Sequence, residues 1–106
     1  MAEHKPPVIW SPEALDDLDH LWNYYANFAG RATADRILGG IAAIVVTLGD
    51  FPLVGRSRDD IRAGLRSLAI TPQTVFYPLN KDRPEIVRVL DGRQDIEEIF
   101  SDDEGR

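Results

Sequence analysis

The sequence predicts one α+β domain with the element order β-α-α-β-β-β-α, a helical hairpin packed on a small antiparallel sheet. Three observations lead there. Apolar residues recur at three- and four-residue spacing from Ala14 to Leu48, which is the period of two amphipathic helices. Three β-type runs crowd into LRSLAITPQTVFYPLNKDRPEIVRVLD (65–91), split by the turn signals Thr71-Pro72-Gln73 and Asn80-Lys81-Asp82-Arg83-Pro84. Strands grouped after helices, instead of alternating with them, favour α+β over α/β.

Each element has a local cause. Val8-Ile9-Trp10 is a short β-type run. Ser11 then supplies an N-cap and Pro12 suits the first helical position, although Ala14 replaces the acid of a full capping box. The first helix is expected to run to about Ala29, with Ala14, Leu15, Leu18, Leu21, Trp22, Tyr25, Phe28 and Ala29 on one face and Gly30 as the stop. Asp16, Asp17 and Asp19 read as a solvated face that complements the helix dipole.

A second helix is expected from Arg31 to Leu48, its stripe being Ala34, Ile37, Leu38, Ile41, Ile44, Val45 and Leu48. The opposite side, Gly39, Ala43 and Val46, is small, which either lets another backbone approach or reflects a tolerant surface. Residues 49–64 form a long connection with four apolar anchors, Phe51, Leu53, Val54 and Ile61, and Asp59-Asp60 suits a turn cap. In the second strand Pro78 removes a ladder donor, so that strand is expected to be bulged or at an edge. A short helix from Gln94 to Phe100 closes the domain through Ile96, Ile99 and Phe100.

The expected core is Trp10, Leu18, Trp22, Tyr25, Ile37, Ile41, Ile44, Leu48, Val75, Val87 and Val89. Residues 1–7 are expected to be a flexible tail, 8–100 the domain and 101–106 a flexible acidic tail. The helical hairpin should cover one face of the sheet. The other face is left to the last helix or to a partner.

Composition excludes several chemistries. With 106 residues there is room for one core. No cysteine is present, so disulfides and thiol catalysis are excluded, and a reducing compartment is expected. The start is polar and proline-rich, unlike a signal peptide. The uncharged run Ile37–Gly49 falls short of the roughly 18 residues a membrane span needs, so the expected location is the cytoplasm. The formal charge of −6 argues against broad nucleic-acid affinity. Charge is nevertheless uneven: residues 1–50 carry three basic and seven acidic side chains, and residues 55–94 eight basic and five acidic. That pattern reads either as an ordinary mixed surface or as a basic patch for an acidic partner.

Two histidines, His4 and His20, give no metal pattern, and Gly39-Gly40 lacks the residues of a phosphate loop. No cofactor is expected. What remains is a set of arginines, Arg66, Arg88 and Arg93, which could converge across neighbouring strands near Tyr77. Guanidinium forks suit carboxylates and phosphates, so the set reads as an anion or RNA-cleavage site. The competing reading is ion pairing with Asp82, Glu85, Asp91 or Asp95 on the sheet rim.

Across residues 8–100 the ordered motifs Trp10-Ser11-Pro12-Glu13-Ala14, Asp17-Leu18, Tyr24-Tyr25, Phe51-Pro52, Gly55-Arg56, Gly64-Leu65-Arg66-Ser67-Leu68, Val75-Phe76-Tyr77 and Ile86–Ile96 resemble the ParE branch of the ParE/RelE toxins of bacterial type II toxin–antitoxin systems. The resemblance implies the same β-α-α-β-β-β-α fold. It also implies a toxin that inhibits DNA gyrase by protein contact, without an active site, and that a ParD-like antitoxin neutralises. The antitoxin's helix and extended segment would wrap the toxin, filling a gap between helices and sheet. Arg56, Arg58, Arg66, Tyr77, Arg88 and Arg93 are the candidate antitoxin or target contacts. The antitoxin would supply the operator-binding domain, so no direct sequence-specific DNA binding is expected of this chain.

The RelE branch implies the alternative, a ribosome-dependent mRNA endonuclease using Arg66, Tyr77, Arg88 and Arg93. A non-toxic antitoxin-binding relic is the third reading. Two departures weigh on the choice. Asp91 stands where the family often has His, and Pro78 stands where Arg often follows the tyrosine. Both lower the cationic and acid–base capacity that RNA cleavage needs, which favours the gyrase branch.

Overall fold

The computed structural model describes residues 7–104, with side chains through residue 102. In chain order the described elements are β1 (Ile9–Trp10), α1 (Pro12–Ala29), α2 (Arg31–Asp50), β2 (Arg56–Ser57), β3 (Arg66–Ile70), β4 (Gln73–Tyr77), β5 (Leu79–Asn80), β6 (Arg83–Ile86), β7 (Arg88–Asp91) and α3 (Ile96–Glu104). The α+β class and both long helices agree with expectation. The sheet is more divided. β2, β3, β4 and β7 form one antiparallel sheet in that order, and β1, β6 and β5 form a second, in which β1 runs parallel to β6.

α1 begins as its sequence dictates. Ser11 Oγ accepts from the Ala14 N–H at 3.0 Å, and Pro12 occupies the first turn. Gly30, at φ 95°, ends α1 by donating to the Ala26 carbonyl and starts α2 by accepting from the Ala34 N–H. The indole N–H of Trp22 donates to Asp35 Oδ1 at 2.9 Å and ties the two helices together at the surface.

The hairpin lies directly on the sheet through a shared buried core. Ala14 and Leu21 from α1, Ile41, Val45 and Leu48 from α2, and Val75, Tyr77, Ile86 and Val89 from the strands form one buried cluster. At roughly 1.5–3 kcal/mol per large apolar side chain, this burial is the main term holding the layers together. The α2 stripe is as expected, and Gly40 explains part of its glycine pair: a Cβ there would lie 3.0 Å from Ile70 Cδ1. Around Gly39 there is open space. By length and composition α2 could cross a bilayer, but Ala34, Ile41, Val45 and Leu48 are buried within the domain.

Strand alternation sends Phe76 to the other face of the sheet. There it meets Leu65, Leu90 and Phe100, with Ile61, Val87, Ile96 and Ile99 around them. The Phe76 and Phe100 rings meet edge-on at 5.1 Å. Thus α3 covers the opposite face, the first of the two coverings expected for it. The helix also runs through residues 101–104, expected as tail, because Phe100 anchors it and its acidic first turn complements the helix dipole. The remaining parts of the two expected tails, residues 1–6 (His4 among them) and 105–106, lie outside the described residues.

The third predicted strand is broken. Phe76 pairs with Arg88 and Leu79 with Pro84, so residues 77 and 78 face 85, 86 and 87. The extra residue is a β-bulge next to Pro78, which cannot donate to the ladder. It frees Glu85 and Ile86 to pair with β1. The β5–β6 turn places Lys81 and Asp82 at φ 53° and 68°, as a two-residue type I′ hairpin turn requires.

Candidate interaction surface

Two of the five candidate arginines, Arg66 and Arg88, are committed inside the fold. Arg88 grips Asp17 with two hydrogen bonds of 2.8 Å, Nε to Oδ2 and Nη2 to Oδ1. The same Oδ2 accepts from the Val89 N–H at 2.8 Å. Asp17 is therefore buried, where the sequence placed it on a solvated face. The reason is rotational. The inward positions of α1 are Ala14, Asp17, Leu18, Leu21 and Tyr25, while Leu15 and Phe28 stay 50% and 74% exposed. β7 is an edge strand, and the N-cap residue of α1, α1 itself and the turn after β7 satisfy outward backbone groups of residues 87–91. Ser11 Oγ donates to the Val87 carbonyl, Asp17 takes the Val89 N–H, and Gln94 Oε1 takes the Asp91 N–H.

Arg93 is bound to Asp91. Its backbone N–H and its Nε donate to Asp91 Oδ1 at 3.0 and 2.9 Å, and its guanidinium lies 4.0 Å above the Tyr24 ring. On the other oxygen, Oδ2 accepts from the Tyr25 hydroxyl at 2.9 Å and from Gln73 Nε2. Burial alone would raise the Asp91 pKa. The Arg93 N–H, the Arg93 side chain and the Tyr25 hydroxyl outweigh it and hold the carboxyl below its ordinary range. Tyr25 is raised, first by burial and then by its hydrogen bond to Asp91. A carboxylate so satisfied is a poor base.

A lowered folded-state pKa contributes stability above the unfolded value of about 3.9, and that contribution fades as pH falls through the folded value. Asp91→Asn should therefore cost about 1–2 kcal/mol at neutral pH. It should also flatten the loss of thermal stability below about pH 4. An acid limb identical to wild type would count against this role.

Tyr77 is fully buried. Its hydroxyl donates to the Pro52 carbonyl and accepts from the Gly55 N–H, both at 2.9 Å. Arg66 Nη2 donates to the Leu53 carbonyl at 3.0 Å and to the Gly55 carbonyl. Gly55 must be glycine, since a Cβ would lie 2.7 Å from the Ser67 carbonyl and collide with the Tyr77 hydroxyl. Two interior side chains thus hold the 52–55 backbone from below. The loop's apolar side chains, expected as inward anchors, point outward: Phe51 is 64%, Leu53 66% and Val54 50% exposed. Only Ile61 packs inward.

Arg66 faces the 52–55 backbone, whereas Arg88 and Arg93 line one cleft with Asp17, His20 and Tyr24. Arg56 is exposed on β2, and Arg58 pairs with Asp60 at 3.1 Å and lies 5.7 Å from the Phe76 ring centroid. Asp59 accepts from the Gly64 N–H at 2.8 Å, the turn cap its sequence suggested. A cleft of about 270 Å³ is lined by Val54, Arg56, Arg58, Ser67, Leu68, Ala69 and Thr74. A second, of about 350 Å³, runs between α1 and β7 past His20, Tyr24, Arg88 and Arg93. No group of metal-binding side chains occurs among the described residues.

Comparison with known proteins is decisive at this point. The family model described as the ParE toxin of the type II toxin–antitoxin system parDE matches residues 8–96. This chain belongs to the ParE toxin family. It is 36% identical over 89 residues to Toxin ParE3 of Caulobacter vibrioides, covering 84% of this chain and 89% of the relative. It is 30% identical over 90 residues to Toxin ParE1 of Mycobacterium tuberculosis, covering 84% and 92%. In fold it is similar to a chain of the chromosomal ParDE system from P. aeruginosa, with a TM-score of 0.71 at 22% identity, covering 79% and 92%.

For a ParE toxin, the residues that sequence reasoning missed are those that fix the frame. Asp17 was read as solvated because helical periodicity does not reveal a carboxylate that meets a sheet edge. Gly55 and the outward turn of Phe51, Leu53 and Val54 depend on Tyr77 and Arg66, 22 and 11 residues downstream.

Proposed function

We propose that this ParE toxin arrests growth by binding DNA gyrase as a protein, without a catalytic step of its own, and that a ParD-like antitoxin neutralises it. The observation that carries this reading is the inward commitment of the would-be catalytic groups. Arg66 Nη2, the Tyr77 hydroxyl and the Arg88 guanidinium are directed at Leu53, Gly55, Pro52 and Asp17, with Arg66 Nε buried and without a hydrogen bond, and Asp91 is held ionised among its own donors. Phosphodiester cleavage by neighbouring-group attack needs a competent base and cations directed at the substrate. Family membership supports the toxin role, and the related solved system, described as ParDE, supports an antitoxin partner. Both partners and the proposed site of action are cytoplasmic, and operator binding falls to the antitoxin.

Of the sequence candidates, Arg56, Arg58 and the outer part of Arg93 remain positioned to meet a partner's carboxylates. The test is a supercoiling assay with purified toxin and gyrase. Supercoiling should fall and cleaved DNA should accumulate, and added antitoxin should reverse both. Unaffected gyrase at high toxin excess, together with codon-linked mRNA cuts in arrested cells, would overturn the reading in favour of the nuclease. Normal growth on expression without antitoxin would point to the relic.

A further inference from the structure

We propose that the cleft between α1 and β7 is the surface that meets DNA gyrase, and that it takes a single carboxylate flanked by aromatic side chains. This rests on the reading that gyrase is the target, and it names the surface and the chemistry of the segment held there.

Arg93 is fixed from the inside. The Asp91 carboxylate that binds it is itself held, on its other oxygen, by the Tyr25 hydroxyl and Gln73 Nε2. This chain of polar contacts ends at one exposed group. A guanidinium carries five N–H donors. Asp91 takes the one on Nε, and the Arg93 side chain is 55% exposed. The outer part of the fork is left for an incoming carboxylate.

Aromatic rings continue the surface. The guanidinium lies over the Tyr24 ring. Tyr24 stacks on Phe28 with centroids 5.7 Å apart and planes 12° apart, and it meets Tyr25 edge-on at 5.0 Å. Tyr24 and Phe28 lie four residues apart on α1, and both are exposed. Phe28 belongs to neither core cluster, so the fold does not need its ring. Exposed aromatic side chains beside an arginine have the composition of an interface hot spot. The stack already exists in the free chain, so little ordering remains to oppose binding. A surface ordered before contact suits a partner that is itself folded.

The surroundings specify the occupant. Leu21 and Val89 line the cleft beside Arg93 and Gln94, and its volume of about 350 Å³ admits a bulky side chain. Glu13, Asp16 and Asp19 are exposed on the same helix. In a chain of −6 they repel a phosphate backbone or a run of acids. What fits is one carboxylate on Arg93, with aromatic neighbours against Phe28 and within the cleft.

The experiment measures gyrase binding, inhibition of supercoiling and affinity for the antitoxin encoded by the neighbouring gene, on the same set of toxin variants. Phe28→Ala and Arg93→Glu should each weaken gyrase binding by about ten-fold or more, a loss of roughly 1.4 kcal/mol. The toxin concentration for half-inhibition should rise by a similar factor. Phe28→Ala should leave the melting temperature and the antitoxin affinity unchanged, so it separates binding from folding even where Arg93→Glu disturbs Asp91. Arg36→Glu, on the exposed side of α2, should change nothing.

Gyrase bound and inhibited by Phe28→Ala as by wild type overturns the surface and leaves the gyrase reading intact. A loss of antitoxin affinity as large as the loss for gyrase overturns the assignment in favour of an antitoxin contact. If the wild-type toxin does not bind gyrase, that reading fails. A synthetic peptide with one glutamate between two tryptophans then decides the surface. Shifts of the Arg93 Nε–H and Phe28 ring resonances with it, and not with its glutamine counterpart, support the site; no shifts overturn it. Concentration-dependent shifts of the same resonances in the toxin alone would also overturn it, in favour of self-association.

Discussion

Asp17→Ala should destabilise the fold by about 3–5 kcal/mol, because it removes one partner of an ion pair formed largely out of solvent. The carboxylate has three donors, two from Arg88 and one from the Val89 N–H. Its own side chain is 7% exposed and that of Arg88 16%. Deleting it strips a sheltered guanidinium of its carboxylate and reopens an edge amide of β7. Urea unfolding should show a lower midpoint at unchanged slope, and the melting temperature should fall by about 4–8 °C per kcal/mol lost. Adding Arg88→Met should recover part of the loss, since the apolar replacement no longer leaves a charge behind. A melting temperature within a few degrees of wild type for Asp17→Ala would refute the account.

Tyr77→Phe should cost about 2 kcal/mol, one net hydrogen bond to Pro52 and one to Gly55. The ring stays, so the core is preserved, and the effect should concentrate in the 52–55 backbone. Amide exchange at Gly55 should accelerate well beyond the global loss of stability. Antitoxin affinity should also fall, although a fully buried side chain cannot touch a partner. Tyr77 is thus a positioning residue for the exposed Phe51, Leu53 and Val54. Unchanged exchange at Gly55, with affinity retained, would show that the loop needs no support from below.

The layers of this fold were legible where a pattern is local. The N-cap at Ser11, the stop at Gly30 and the α2 stripe are written within a few residues of where they act. Family likeness across the whole domain was legible in the order of its motifs. Illegible were the features that depend on distant partners. Asp17 looks like any acid in a helix's first turns until β7 is laid beside it. Arg66, Arg88 and Arg93 read as a set around Tyr77 because they fall on or beside neighbouring strands; in the structure Arg66 and Tyr77 face the loop between α2 and β2. The last helix was expected at 94–100 and runs Ile96–Glu104, and nothing local in Phe100 says that Phe76 and Leu90 will form its seat.

The bulge at residues 85–87 has one more effect, on the order in which the molecule can be completed. By turning Ile86 and Val87 toward the chain's beginning, it gives Ser11 its backbone and side-chain acceptors, and Arg88 stands next in line for Asp17. Those contacts span 71 to 76 positions, and closing such long loops is slow compared with winding a helix. Until β7 has been made, α1 is tied only to α2, so a chain ended before β7 would lack the contacts that join α1 to the sheet.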